Sequence, residues 1–163
     1  MELKQFLELF NPYPGNSYLQ VTDRVDEITE ALYKLMESVG GTLNLVLYSE
    51  DEEDLSSRFP NANIQYIKNL NQPFRALPRT NDIVIFKDIF HKHHNQKGIL
   101  KIAYTTLANA AEIVIMQKSG EADVSEQLDL LEELEFRSQN QINLLENYDL
   151  VMAKKLHMWG NGL

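Results

Sequence analysis

An open three-layer α/β fold, on a mainly parallel sheet of seven strands closed by a C-terminal antiparallel hairpin, is what this sequence predicts, and three observations carry the prediction. Short β-rich segments alternate with amphipathic helical segments along most of the chain. Segments such as "TLNLVLYS" and "EIVIMQK" are apolar nearly throughout, as parallel strands covered on both faces are. The last two strand-like segments lie too close together for a crossover helix, so they pair antiparallel at one edge. A chain of 163 residues fits a single domain, read as an N-terminal helix and turn over 1–15 and a core over 16–163.

The elements follow in order. Leu3, Phe6, Leu7 and Phe10 fall at helical spacing, and Pro12 and Pro14 in "NPYPG" end that helix. Ser17 to Val21 form the first strand. It runs into a helix whose inward face is Val25, Ile28, Leu32, Leu35, Met36 and Val39, with Thr22 or Asp23 as N-cap and Gly40 as its stop. "TLNLVLYS" is the second strand, and the five acids Glu50 to Asp54 open the next helix, where its dipole favours negative charge. "NIQYIKN" is the third strand. The connection Leu70 to Asn81 is expected to be irregular and exposed, since Pro73 and Pro78 deny it a long helix. "DIVIFKDIF" is the fourth strand, Lys97 to Ala111 a helix, "EIVIMQK" the fifth strand and Val124 to Leu134 a further helix. "INLLEN" and "LVMAKKLHMW" form the hairpin, with Tyr148 and Asp149 between them. Val46, Val84 and Ile115 should then share the interior of one sheet.

Composition narrows the function classes. There is no cysteine, which excludes disulfides, thiolate metal sites and a cysteine nucleophile, and is compatible with a reducing cytoplasm, the expected location. The N-terminal segment holds no apolar run long enough for a signal peptide or membrane span, so neither membrane insertion nor secretion is expected. A net charge of −9 repels a phosphate backbone, and no nucleic-acid partner is expected. The charge is uneven: Lys68 to Lys101 carry seven Lys or Arg against Asp82 and Asp88, while Glu121 to Asp149 carry nine acids against Arg137 alone. These are two solvated faces of opposite sign, or a basic mouth, with Lys87, His91 and Lys92 in it, for an anionic ligand. The signatures G-x-x-x-x-G-K-[ST], G-x-S-x-G and G-x-G-x-x-G are absent, so phosphate-loop, serine-hydrolase and dinucleotide readings lose their support.

Several stretches carry a family resemblance. "NIQYIKNLNQPFRALPRTNDIVIFKDIFHKHHN" is similar to the third-to-fourth-strand passage of the class I S-adenosylmethionine-dependent methyltransferases. "LLEELEFRSQNQ" resembles that family's "LLEEAGF" helix end, and "YDLVMAKK" its last strand. The resemblance covers Ser17 to Trp159 and implies the family's Rossmann-like, seven-stranded sheet with the last strand antiparallel. It also implies cofactor positions. The family's first motif, an acid followed by three alternating glycines, falls on "YLQVTDRVD", where Gln20 stands for the acid and Thr22, Arg24 and Asp26 for the glycines. Side chains there take space that glycine leaves for close backbone approach to a ligand. The ribose-binding acid after the second strand is matched by Glu50 or Asp51, and Asn69 stands for the acid that meets the adenine amino group.

From this two function classes follow: a non-catalytic binding or interaction module derived from methyltransferases, favoured by the lost glycines, and an active methyltransferase with a rerouted loop, favoured by Glu50 and Asp51. S-adenosylmethionine is expected to bind weakly or not at all, with Arg24 and its flanking acids forming a polar surface patch instead. The partner is a small molecule or a protein. For an enzyme, the acceptor approaches the edge that carries Asp88 and His91, the candidate catalytic residues. No metal site is expected, because His93 and His94 point to opposite sides of their segment, and the loop that carries His91, His93 and His94 is read as solvated. A homodimer, where one forms, is expected to use the N-terminal helix or the edge hairpin, through Phe6, Phe10, Met158 and Trp159; the same residues equally suit closing the monomer's own core.

Overall fold

The computed structural model describes residues 2–50 and 54–156. Asp51, Met158 and Trp159 lie outside the described residues. Along the chain run α1 (Glu2–Leu7), β1 (Ser17–Thr22), α2 (Glu27–Ser38), β2 (Thr42–Tyr48), β3 (Asn63–Ile67), β4 (Asn81–Lys87), α3 (Gln96–Thr106), β5 (Leu107–Lys118), α4 (Val124–Glu133), β6 (Arg137–Ile142) and β7 (Tyr148–Lys154). The seven strands form one sheet in the order β3-β2-β1-β4-β5-β7-β6. Neighbours from β3 to β5 are parallel, and β7 runs antiparallel to both β5 and β6, as the missing crossover requires. Val46, Val84 and Ile115 sit in the interior of this sheet on one shared face.

Strand alternation sends successive side chains to two separate cores. Leu19, Val21, Val84, Phe86 and Ile115 face α3, α4 and the connection that holds Phe74, whereas Tyr18, Leu45, Ile85 and Val114 face α1 and α2. On the second face Phe6 and Phe10 are buried, and Phe10 packs edge-on against Tyr18 with ring centroids 5.8 Å apart. The N-terminal helix therefore helps close this chain's own core.

Helix α2 starts later than its sequence suggests. Its N-cap is Asp26, not Thr22 or Asp23: the Asp26 carboxylate accepts from the N–H groups of Ile28 and Thr29, and the Thr29 hydroxyl faces the Asp26 N–H. Thr22 belongs to the strand, and its hydroxyl instead donates to the Arg24 carbonyl at 3.1 Å. The helix ends in a Schellman motif, with Gly41 N–H on the Met36 carbonyl and Gly40 N–H on the Glu37 carbonyl, and Gly40 at φ +64°. A Cβ on Gly40 would meet open space, whereas one on Gly41 would lie 2.5 Å from the Asn16 carbonyl oxygen. Gly40→Ala should cost about 1 kcal/mol through its backbone conformation alone. Gly41→Ala should cost about 2 kcal/mol or more by overpacking, and urea titration of the two variants checks that order.

Three expected elements differ. The helix expected from Glu50 to Asp54 falls in part on 51–53, outside the described residues, and residues 54–62 carry no regular helix: Leu55 and Phe59 are buried by a single turn, Asp54 accepts from the Ser56 N–H, and Pro60 follows. The helix expected to Ala111 stops at Thr106, and Leu107 opens β5 directly. Alanine-rich text favours helix, but tertiary bonds win here: Lys155 Nζ donates to the Leu107 carbonyl at 2.7 Å, and Ala110, at φ +68° in a bulge, donates to the Lys155 carbonyl. The sixth strand is Arg137–Ile142, not "INLLEN", which connects it to β7, and Tyr148 and Asp149 belong to β7 itself. A polar edge strand has little apolar alternation to betray it.

The connection from Leu70 to Thr80 is irregular and mostly exposed, as its prolines predict. Several contacts pin it, among them those of Phe74 and Arg75. Phe74 is buried against Phe86, and the Gln65 side-chain amide both accepts from the Arg75 N–H and donates to its carbonyl, each at 2.9 Å.

Candidate functional site

The direction of strand progression reverses between β1 and β4, and open α/β sheets bind ligands at the carboxyl ends of strands beside such a switch point. Here the chain supplies the segment 23–26 after β1, Ser49 and Glu50 after β2, Lys68 to Leu70 after β3, and Asp88 with the 3-10 turn Phe90–Lys92 after β4.

At the inner end of this region the chain is joined to itself by Lys87. This lysine is the last residue of β4, directly after its apolar run Ile83–Phe86, and is 1% exposed. Its ammonium donates to Asp26 Oδ2 at 2.6 Å and to Asp88 Oδ2 at 2.5 Å, and lies 5.5 Å from the centroid of the Tyr148 ring. Burial pulls the Lys87 pKa down, but the bonds to the two carboxylates outweigh it, and the group ends above its ordinary value. Tyr148 donates to Asp88 Oδ2 at 3.4 Å, and its hydroxyl pKa is raised, chiefly by burial. Asp88 holds φ +58°, a left-handed conformation that among non-glycine residues Asn, Asp and His adopt most readily, and its N–H donates to the Met116 carbonyl. A second ionic contact lies further out. Asp23 accepts from Lys92 Nζ at 2.8 Å and pairs with Arg24 at 3.0 Å; burial opposes its ionisation, but these cations hold its pKa below the ordinary value. Of the two acids of the β1–α2 junction, Asp26 is thus tied to the last residue of β4 and Asp23 to the segment after it.

Outside these contacts a cleft of about 540 Å³ remains open. It is lined by Tyr48, Ser49 and Glu50 from the end of β2, by Lys68, Asn69 and Leu70 from the end of β3, and by Asp23, Ile89 and Lys92 on the opposite wall. Asn69 Oδ1 accepts from the Asn71 N–H, which fixes the amide at the rim. The structure therefore brings Glu50 and Asn69 together on one cleft. Gln20 and Thr22 are fully buried and do not line it. Both amide atoms of Gln20 have no hydrogen-bond partner among the described residues. Arg24 is half-exposed beside Asp23, forming the expected polar patch, whereas Asp26 turns inward to Lys87.

The candidates for acid–base work do not converge. Asp88 faces Lys87, while His91 lines a separate pocket of about 200 Å³ with Gln96, Glu121, Asp123 and Gln127. His91 Nε2 stands 3.6 Å from the Glu121 carboxylate. His93 and His94 do diverge: His94 is exposed, but His93 is a core residue rather than part of a solvated loop. It packs edge-on against Tyr48, accepts from the Asn95 N–H at 2.9 Å, and burial pushes its pKa down, keeping it neutral. Among the described residues no group of three or more His, Asp or Glu side chains is placed to hold a metal ion, and no helix is long and apolar enough to cross a membrane. Lys87 does not belong to a basic mouth. The only hint of its role in the sequence is a lysine closing the buried run "DIVIF".

No family model matches this sequence, and no curated protein matches it by sequence. Solved structures do match by fold. A SAM-dependent methyltransferase from Aquifex aeolicus superposes with a TM-score of 0.74 at 15% identity, over 94% of this chain and 89% of that one. A putative S-adenosyl-L-methionine-dependent methyltransferase from Methanococcus maripaludis gives a TM-score of 0.74 at 10% identity, over 96% and 84%. Phosphoethanolamine N-methyltransferase 2 of Haemonchus contortus, solved in complex with S-adenosyl-L-methionine, gives 0.71 at 8% identity, with 96% of this chain covering 52% of that protein. The fold is thus the Rossmann-like fold of class I S-adenosylmethionine-dependent methyltransferases.

Proposed function

We propose that this chain is a methyltransferase-like module that does not transfer methyl groups and acts by binding a small molecule or a protein. The observation that carries this reading is the Lys87 ammonium, buried between Asp26 and Asp88 beside the N-terminus of α2. Asp26, one of the three residues at the glycine positions, is committed to this ion pair and to capping the helix. A methionine-type tail placed there has to displace Asp26 from the buried Lys87 ammonium, and loss of that one partner costs about 2 kcal/mol because Asp88 stays. Poor affinity for the cofactor follows.

A second reading, an active methyltransferase with an atypical cofactor loop, draws support from Glu50 and Asn69 sharing the open cleft. Calorimetric titration with S-adenosylmethionine and S-adenosylhomocysteine separates the two. The expected result is no saturable binding at ordinary cellular concentrations. Tight binding that disappears in the Glu50→Ala, Asp51→Ala double variant would make the enzyme reading the leading one.

A further inference from the structure

We propose that β3 is a self-pairing edge: two copies of the chain join antiparallel along Asn63–Ile67, about a two-fold axis through Gln65, and continue one sheet across both. This goes beyond the functional reading above and does not depend on what the cleft binds.

The sheet ends in β3 on one side and β6 on the other, and the two edges are built differently. β6 is guarded. Arg137 charges it, Ser138 at φ +57° bulges it, and its register with β7 shifts between Arg137 and Asn140. β3 has none of these devices: it is uncharged, contains no proline, and pairs with β2 in an unbroken register. The Ser49 N–H donates to the Ile67 carbonyl at 3.0 Å, which fixes the alternation along the strand. Asn63, Gln65 and Ile67 turn their backbone groups toward β2, and Ile64 and Tyr66 turn theirs outward. Among the described residues nothing bonds to these outward N–H and C=O groups. Beside them the Tyr66 side chain is 44% exposed. Phe6 and Phe10, by contrast, are buried within the chain and present no comparable surface.

The occupant follows from the strand's own order of residues. Turned antiparallel on itself about Gln65, "NIQYI" sets Ile64 opposite the second copy's Tyr66, and Tyr66 opposite its Ile64. Outward residues then meet outward residues, so every outward backbone group of both strands gains a partner. Each of these side-chain pairs sets an aromatic ring against a β-branched chain, a favourable cross-strand combination. Charge agrees with this register. A chain of net charge −9 repels its own copy, and the two meet here along a segment that carries no charge. Lys68 comes opposite Ala62 of the second copy, one residue from Asn61, whose side-chain amide donates to the Glu37 carboxylate at 3.4 Å. Each end of the ladder therefore brings a cation toward an acid. The contact is isologous and closes at two copies. One short strand a side buries less than the standard interface of about 1,600 Å², so the dimer belongs in the micromolar range.

Light scattering of the full chain between about 1 μM and about 1 mM should show monomer giving way to dimer. Ile64→Pro removes an outward N–H that β2 does not use, a place where an edge strand tolerates proline, and Tyr66→Lys adds the kind of charge that guards edges. In each of these variants that keeps its fold the dissociation constant should rise at least about tenfold, while Gln141→Lys, on the exposed β6 edge, should leave it unchanged. Because the chain has no cysteine, Gln65→Cys places a single thiol of each copy at the axis, and air oxidation should link its dimers much faster than those of Gln141→Cys. A chain that stays monomeric at about 1 mM overturns the proposal. So does a dimer that the folded β3 variants leave intact, or cross-linking of Gln65→Cys no faster than of Gln141→Cys. None of these outcomes bears on cofactor binding, so the functional reading stands or falls by its own titration.

Discussion

Asp26→Ala should lower the stability of the protein by about 3 kcal/mol, a large loss for a single substitution at a half-buried position. Asp26 has two structural tasks at once. Oδ1 caps α2 through Ile28 and Thr29, and Oδ2 holds the Lys87 ammonium at 2.6 Å. Loss of the cap costs about 1 kcal/mol. Loss of the partner leaves a buried ammonium with Asp88 alone, which adds about 2 kcal/mol, less than for a lone buried charge because one carboxylate stays. Asp26→Asn separates the tasks, since its amide oxygen still caps the helix, and should lose about 2 kcal/mol. The pH dependence has a definite sign. Lys87 has a folded pKa above its ordinary 10.5, so its contribution is fully present below that value and is lost as pH rises through the raised one. Urea midpoints of the unaltered protein and of Asp26→Asn should stay a constant distance apart from neutral pH to about 10 and converge above it. A constant separation well above that range would refute the role given to Lys87.

The second large effect concerns the N-terminus. A chain beginning at Asn16 removes Phe6 and Phe10, both buried, Phe6 packing on Phe10 and Phe10 on Tyr18. At about 1.5–3 kcal/mol for each buried aromatic, the loss is about 3–6 kcal/mol, comparable with the whole stability of a small domain. Thermal melts should show a much lower midpoint, and the newly bared face around Tyr18, Ile85 and Val114 should bind a hydrophobic dye. Light scattering of the same shortened chain reports on assembly. A melt within two or three degrees of the full-length protein would show that α1 contributes little to this core.

What the sequence made legible, and what it hid, follows from how far each signal is local. β1, α2, β2 and β4 are plain because their burial sets their period, one apolar face for α2 and two for the strands. The start of β5 at Leu107 was hidden because Ala108, Ala110 and Ala111 favour helix, while the bonds that make them strand come from Lys155, far along the chain. β6 was hidden because "RSQNQI" is a polar edge with a bulge at Ser138, with no apolar stripe to count. In the site, Glu50 and Asn69 could be placed by order of elements alone, since the ends of β2 and β3 must come together in a parallel sheet. Lys87 could not be placed that way. A lysine in text reads as surface, and only the approach of Asp26 and Tyr148 from two distant points in the chain, added to the adjacent Asp88, makes its burial tolerable. His93 was misjudged for the same reason: its neighbours Tyr48 and Gln72 are distant in sequence.

Consecutive residues such as Ile85 and Phe86 belong to different cores on opposite faces of one sheet, and the two sets of buried side chains have no member in common. Substitutions on the two faces accordingly act as nearly independent perturbations whose effects add, because they share no packing neighbour and are separated by the backbone layer. Sequence change can accumulate on the α3 and α4 side without compensation on the α1 and α2 side. One face of such a chain can drift far from its relatives while the other, with the same strands, keeps its shape.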